Sequence, residues 1–128
     1  MATFKSFEDI EAWQLARALV KEMFIIFNEK KLKTEFELMS QFKRANISIM
    51  NNIAEGYGRY SNADFIRFLD YASASASEVK SMLYVMEDLN FLNPNDAQLY
   101  RGKVDVIQSK ILGLIKYLRN HKKPPKCN

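Results

Sequence analysis

The chain has 128 residues, of which 48% are hydrophobic and 27% charged, and a formal charge of +4. That length suits one domain able to bury a core without staples, and the composition is globular, neither disordered nor membrane-embedded. No apolar run approaches the roughly 20 residues that span a bilayer, and Met1 to Ser6 lack the cationic and apolar stretches of a secretory signal. No membrane association and a cytoplasmic location are therefore expected. Cys127 has no disulfide partner, and with His121 as the one histidine there is no metal set of usual spacing. Neither cofactor nor metal is expected.

Apolar residues recur at steps of three and four, the helical period. The first helix is predicted to open at Ser6, with Asp9 three residues later as a capping box, and to run to about Asn28. Its apolar residues form two adjacent stripes: Ala12, Ala16, Leu19, Met23, Ile26, and Ile10, Trp13, Val20, Phe24, Phe27. After the charged linker Glu29 to Lys33, Thr34 and Glu37 make a second capping box. The second helix should run to Gly56 or Gly58, glycines that can supply the left-handed residues ending a helix. Its face Leu38, Phe42, Ala45, Ile49 and Ile53 is apolar.

Ser61 with Asp64 opens the third helix, predicted to reach about Asn90. The stripe Phe65, Leu69, Ala72, Ala76, Val79, Leu83, Met86 alternates steps of four and three, the signature of bundle packing. Phe91 and Leu92 close it. Asn93 caps a fourth helix with Pro94 in its first turn, where a missing N–H costs little. That helix carries Tyr100, Val104, Ile107, Ile111, Leu114 and Leu118. The reading is an all-α, antiparallel up-down-up-down four-helix bundle over residues 1–120, followed by a disordered basic tail over 121–128.

Charge is unevenly distributed. Residues 61–90 hold two Lys/Arg against five Asp/Glu, whereas residues 91–128 hold eight against two. Such asymmetry suits an anionic partner, or equally an acidic helix packed beside a basic one. The nucleic-acid candidates are Arg101, Lys103, Lys110, Lys116, Arg119, Lys122, Lys123 and Lys126.

Catalysis finds little support in the residues. Glu55 and Glu78 can meet across helices two and three, but as two carboxylates alone they read as partners of Arg44, Arg59 or Arg67. Arg119-Asn120-His121 lacks the Arg-to-His spacing of helical RNA-cleaving proteins. On helix two, Gln41, Arg44, Ser48, Asn52, Glu55 and Arg59 gather into a polar stripe. It is either a solvated face or a hydrogen-bonded contact with another helix or subunit. The run Ala72-Ser73-Ala74-Ser75-Ala76-Ser77 favours tight packing within the chain first and a subunit interface second.

Lys43-Arg44-Ala45, Ser48-Ile49, Asn52-Ile53-Ala54-Glu55-Gly56 and Arg59, then Ser61, Phe65, Arg67-Phe68-Leu69, Ala72, Ser75 and Glu78, form a long and unusual string. It resembles the bacterial four helix bundle protein family, whose founding members are encoded in intervening sequences of 23S ribosomal RNA genes and which is often filed as a ribosomal protein. The resemblance runs from Phe7 and Trp13 to about residue 92. The chain departs from the family pattern at Lys43, where Arg is usual, at Met50, where Pro is common, and at Ala74, where Gly usually precedes the Ser.

Related bundles include the accessory proteins of diversity-generating retroelements, so the resemblance implies a homopentamer with RNA or DNA as ligand. It also implies a protein partner such as a reverse transcriptase if the gene sits in a retroelement. The leading expectation is a non-enzymatic, oligomeric nucleic-acid-binding accessory protein. The alternative is a protein-binding oligomeric scaffold.

Overall fold

A computed structural model describes residues 4–28 and 35–121. Within them lie four helices, α1 (Glu11–Phe27), α2 (Phe36–Tyr57), α3 (Asn62–Asp88) and α4 (Pro94–Asn120). Each helix packs on its chain neighbour, and α4 closes the ring against α1. Short links force the neighbours to run antiparallel, which gives the expected bundle.

The core follows the periodicity closely. All seven residues of the α3 stripe are buried, and so are Val104, Ile107, Ile111, Leu114 and Leu118 of α4. Phe42, Phe65, Leu69 and Leu83 are wholly buried, each contributing roughly 1.5–3 kcal/mol of apolar transfer. Aromatic edges lock the α1–α2 seam, where the rings of Phe27 and Phe42 meet at 5.3 Å and 69°.

Two helix starts form as the sequence predicts. Ser61 accepts from the Asp64 amide at 3.1 Å, and Asn93 accepts from the Asp96 amide at 2.8 Å with Pro94 beside it. The first start differs. Ser6 makes no side-chain cap, and Phe7–Asp9 form a separate 3-10 turn that ends at extended Ile10 before α1 begins. Asp9 instead accepts from the Lys5 amide at 2.8 Å. Ile10 is 2% exposed, so burying its side chain in an extended backbone outweighs continuing the helix. Tyr57, at the end of α2, anchors this segment by donating to the Phe4 carbonyl at 3.0 Å. Burial, then the Asp9 carboxylate, pushes the Tyr57 phenol up, which keeps it a donor.

For α2, Glu35 occupies the N-cap position without a side-chain bond, while Thr34 and the Glu29 to Lys33 linker lie outside the described residues. So does the expected tail beyond His121.

The glycines near Tyr57 act otherwise than expected. Gly56 is helical and buried, and Gly58 ends α2 at φ −74°, so neither is left-handed. A Cβ on Gly56 would stand 2.6 Å from the Cβ of Phe68 and 3.1 Å from Phe65 Cδ1. Glycine is present here for close approach. The left-handed terminator is Asn90, φ 62°, at the end of α3. The amides of Phe91 and Asn90 reach back to Met86 and Glu87 at 2.8 and 3.0 Å, the pairing of a Schellman cap.

Gly56→Ala should therefore lower stability by about 1–3 kcal/mol through overpacking. Gly102→Ala and Gly113→Ala, where a Cβ meets nothing within 4 Å, should each raise it by up to about 1 kcal/mol. Urea-unfolding midpoints check both signs, and a Gly56→Ala variant as stable as the parent would contradict the packing argument.

Candidate functional site

The polar stripe of α2 divides into two parts. Toward α3 it is a hydrogen-bonded seam, in which the Ser48 and Ser75 hydroxyls meet at 2.8 Å and Gln41 lies 3.4 Å from a Glu78 carboxylate oxygen. Asn52 donates back to the Ser48 carbonyl and hydroxyl, both at 2.9 Å. Toward solvent, Arg44 donates to Ser40 at 2.6 Å and Arg59 to Glu55 at 2.9 Å. Glu55 and Glu78 thus hold different partners. Arg67 pairs with Asp64 at 3.2 Å.

An open groove of about 640 Å³ runs along the outer part of the stripe, lined among others by Arg44, Ser48, Asn52 and Glu55. Lys43 borders it and is held over the Phe24 and Phe27 rings at 5.3 and 5.5 Å.

The small-residue run of α3 serves packing within the chain. Ala72 and Ala76 face the core, Ser75 faces α2, and Ser73 and Ser77 accept from Gln108 of α4 at 3.1 and 2.8 Å. Asn46 is a feature that the sequence reading passed over. It is wholly buried, its Nδ2 donates to the Phe42 carbonyl at 2.8 Å, and its Oδ1 has no partner among the described residues. The signal was legible, since Asn46 falls four residues after Phe42 on the core face of α2.

The α4 cations separate along the helix. Arg101 is the most enclosed, 2.7 Å from Glu87 and with its guanidinium 4.0 Å from the centre of the Tyr84 ring. Lys103 pairs with Glu22 at 2.8 Å and Lys110 with Glu11 at 3.1 Å, both tying α4 to α1. Beside them, burial and then Glu22 push the Tyr100 phenol up, with Lys103 opposing. Asp105 of α4 takes Lys80 of α3 at 2.8 Å. Helix-to-helix pairing therefore absorbs the first three α4 cations, with acids drawn from α1 as well as α3.

Lys116 and Arg119 are exposed and form no ion pair with a described residue. Lys122, Lys123 and Lys126 lie outside the described residues.

These features define a four-helix bundle whose polar residues first serve its own seams. Residues 8–113 match the model of the 23S rRNA-intervening sequence protein family, and the chain belongs to that family. A crystal structure from Bacteroides thetaiotaomicron, described as a protein with unknown function from the S23 ribosomal protein family, is similar at 26% identity and a TM-score of 0.70. The likeness covers 82% of this chain and 94% of that one. No curated protein matches the chain. Among the described residues, no helix is long and apolar enough to cross a membrane.

The division of α4 has a direct consequence for stability. Arg101→Ala should cost about 1–2 kcal/mol, since it removes a half-buried ion pair and a ring contact together. Lys116→Ala should leave the urea midpoint unchanged. Equal effects at the two positions would contradict the division.

Proposed function

We propose that this protein is a non-enzymatic, homo-oligomeric nucleic-acid-binding accessory protein that holds phosphate through the end of α4. The observation that carries this reading is the gradient of pairing along α4. Arg101, Lys103 and Lys110 are neutralised by neighbouring helices, whereas Lys116 and Arg119 are exposed without an ion pair among the described residues. The sequence then continues through Lys122, Lys123 and Lys126. Phosphate contacts of this kind position a nucleic acid without reading its bases. A homopentamer, as the family resemblance implies, repeats the cationic end five times, and such multivalency compensates for weak single sites.

The groove along α2 supports a second reading, a protein-binding scaffold. Its mixed lining of Lys43, Arg44, Asn51 and Glu55 has no single sign of charge and suits a peptide better than a phosphate backbone.

Fluorescence anisotropy with ribosomal RNA fragments and random duplexes, combined with light scattering on the eluting protein, tests the first reading. Binding should be oligomeric and weakly selective. Lys116→Glu with Arg119→Glu should flatten the dependence of log affinity on log salt by roughly two units, about 0.9 for each lost phosphate contact. Lys103→Glu should leave that slope unchanged. No binding at roughly tens of micromolar protein in low salt, where the counterion term is strongest, would reject this reading in favour of the scaffold.

A further inference from the structure

Of the four seams of the bundle, the one between α1 and α4 is the least closely packed. Two ion pairs tie it, Lys103 to Glu22 at 2.8 Å and Lys110 to Glu11 at 3.1 Å. Because the two helices run antiparallel, these pairs bracket the residues between them, Leu15, Ala18 and Leu19 of α1 and Val106 and Ile107 of α4. A half-open cavity of about 220 Å³ lies at this place, lined by those five residues together with Glu22 and Lys103. Leu19 and Ile107, each 2% exposed, form its deep wall, and Val106, 50% exposed, its outer one. Ala18, exposed on α1, has only a methyl group to fill the gap.

Size and lining together define what fits. An apolar cavity of about 150 Å³ holds a benzene ring, and sites for drug-sized molecules begin at roughly 300 Å³. The cavity here, at about 220 Å³, suits one ring with a short substituent. Its polar groups lie together: the Lys103 ammonium donates to both Glu22 carboxylate oxygens, at 2.8 and 3.0 Å. These charges cancel, so a charged ligand would break the pair or go uncompensated. A hydroxyl or ring N–H can instead donate to Glu22, whose carboxylate keeps lone pairs beyond the two that Lys103 uses. A helix of another protein fits less well. Laid along the seam, it would cover both ion pairs and desolvate their charges, whereas a compact molecule seated between them leaves the pairs wet, as their side chains are now, each at least 36% exposed.

We infer that the α1–α4 cavity is a binding site for a small neutral molecule with an apolar body of about one ring and a hydrogen-bond donor, the body lying against Leu15, Leu19, Val106 and Ile107 and the donor meeting Glu22. The site shares no residue with the Lys116 and Arg119 end of α4 and does not depend on the nucleic-acid reading. Bound there, the ligand fastens α4 to α1 across the seam that the chain's own side chains fill least.

The test uses full-length protein and phenol, followed through methyl resonances in carbon–proton correlation spectra. Phenol should shift those of Leu15, Leu19, Val106 and Ile107 saturably at millimolar concentration, roughly the affinity that so few non-hydrogen atoms supply. Benzoate, with the same ring but an anionic substituent, should bind at least about tenfold more weakly, and anisole, which has no donor, several-fold more weakly. Ala18→Leu should fill the cavity and weaken phenol binding at least about tenfold. Its circular dichroism should stay unchanged, since the position is exposed and leucine is a good helix former. Leu112→Ala, at a residue 50% exposed but outside the cavity, should leave the affinity unchanged.

No saturable shift, a shift that Ala18→Leu leaves intact, or benzoate bound as tightly as phenol would overturn the inference. Each of these results leaves the nucleic-acid reading standing.

Discussion

The close approach of α2 and α3 is the contact on which the other placements depend. It requires that Gly56 carry no side chain, because Phe68 already occupies the space a Cβ would take. It requires small residues on α3, and Ala72 and Ala76 are wholly buried along that helix. The polar groups brought together must also satisfy one another, as Ser48 and Ser75 do at 2.8 Å. A larger residue at any of these positions would separate the helices, and the apolar stripe of α3 would lose the neighbours that bury it. With α3 fixed against α2, its opposite side sets the register of α4 through Gln108, Arg101 and Asp105.

That register then decides which charges are left for a partner. Lys80, Glu87 and Asp105 are not part of the apolar core, yet they fix how far α4 slides along α3 and so where its end comes to lie. The exposed Lys80–Asp105 pair adds at most about 1 kcal/mol, so its contribution is more to alignment than to stability, whereas the enclosed Arg101–Glu87 pair serves both. The pairing that aligns the bundle leaves Lys116 and Arg119 exposed at one end, beside the α2–α3 turn.

Features set by local chemistry or helical period were legible in the sequence. The stripe from Phe65 to Met86 and the caps at Ser61 and Asn93 form where the residues place them. Features that depend on what lies across a seam were not. Ser6 and Asp9 have the spacing of a capping box, but burial of Ile10 overrides it. Gly56 read as a helix terminator because a sequence does not show that Phe68 packs against it, whereas Gly58 does end α2, though not in the left-handed conformation. For the candidate site, eight basic residues were legible as a group, whereas the division of the five described ones into paired and exposed members depends on Glu11, Glu22 and Glu87, which come from other helices. The small-residue run was ambiguous for the same reason, since the alternation of Ser73 and Ser77 with Ser75 gains its meaning from having α4 on one side and α2 on the other.

In the proposed function the inner cations of α4 hold the bundle together, and its outer end meets the nucleic acid. Photo-crosslinking of an oligouridine that carries thiouridine, followed by mass spectrometric mapping of the crosslinked peptides, tests this most directly. It reports positions whatever the affinity or oligomer number. The proposed function predicts crosslinks in the peptides that contain Lys116 and Arg119, and none centred on Lys103 and Lys110. Crosslinks concentrated around Lys103 and Lys110, or in the α2 groove beside Arg44 and Asn52, would contradict it.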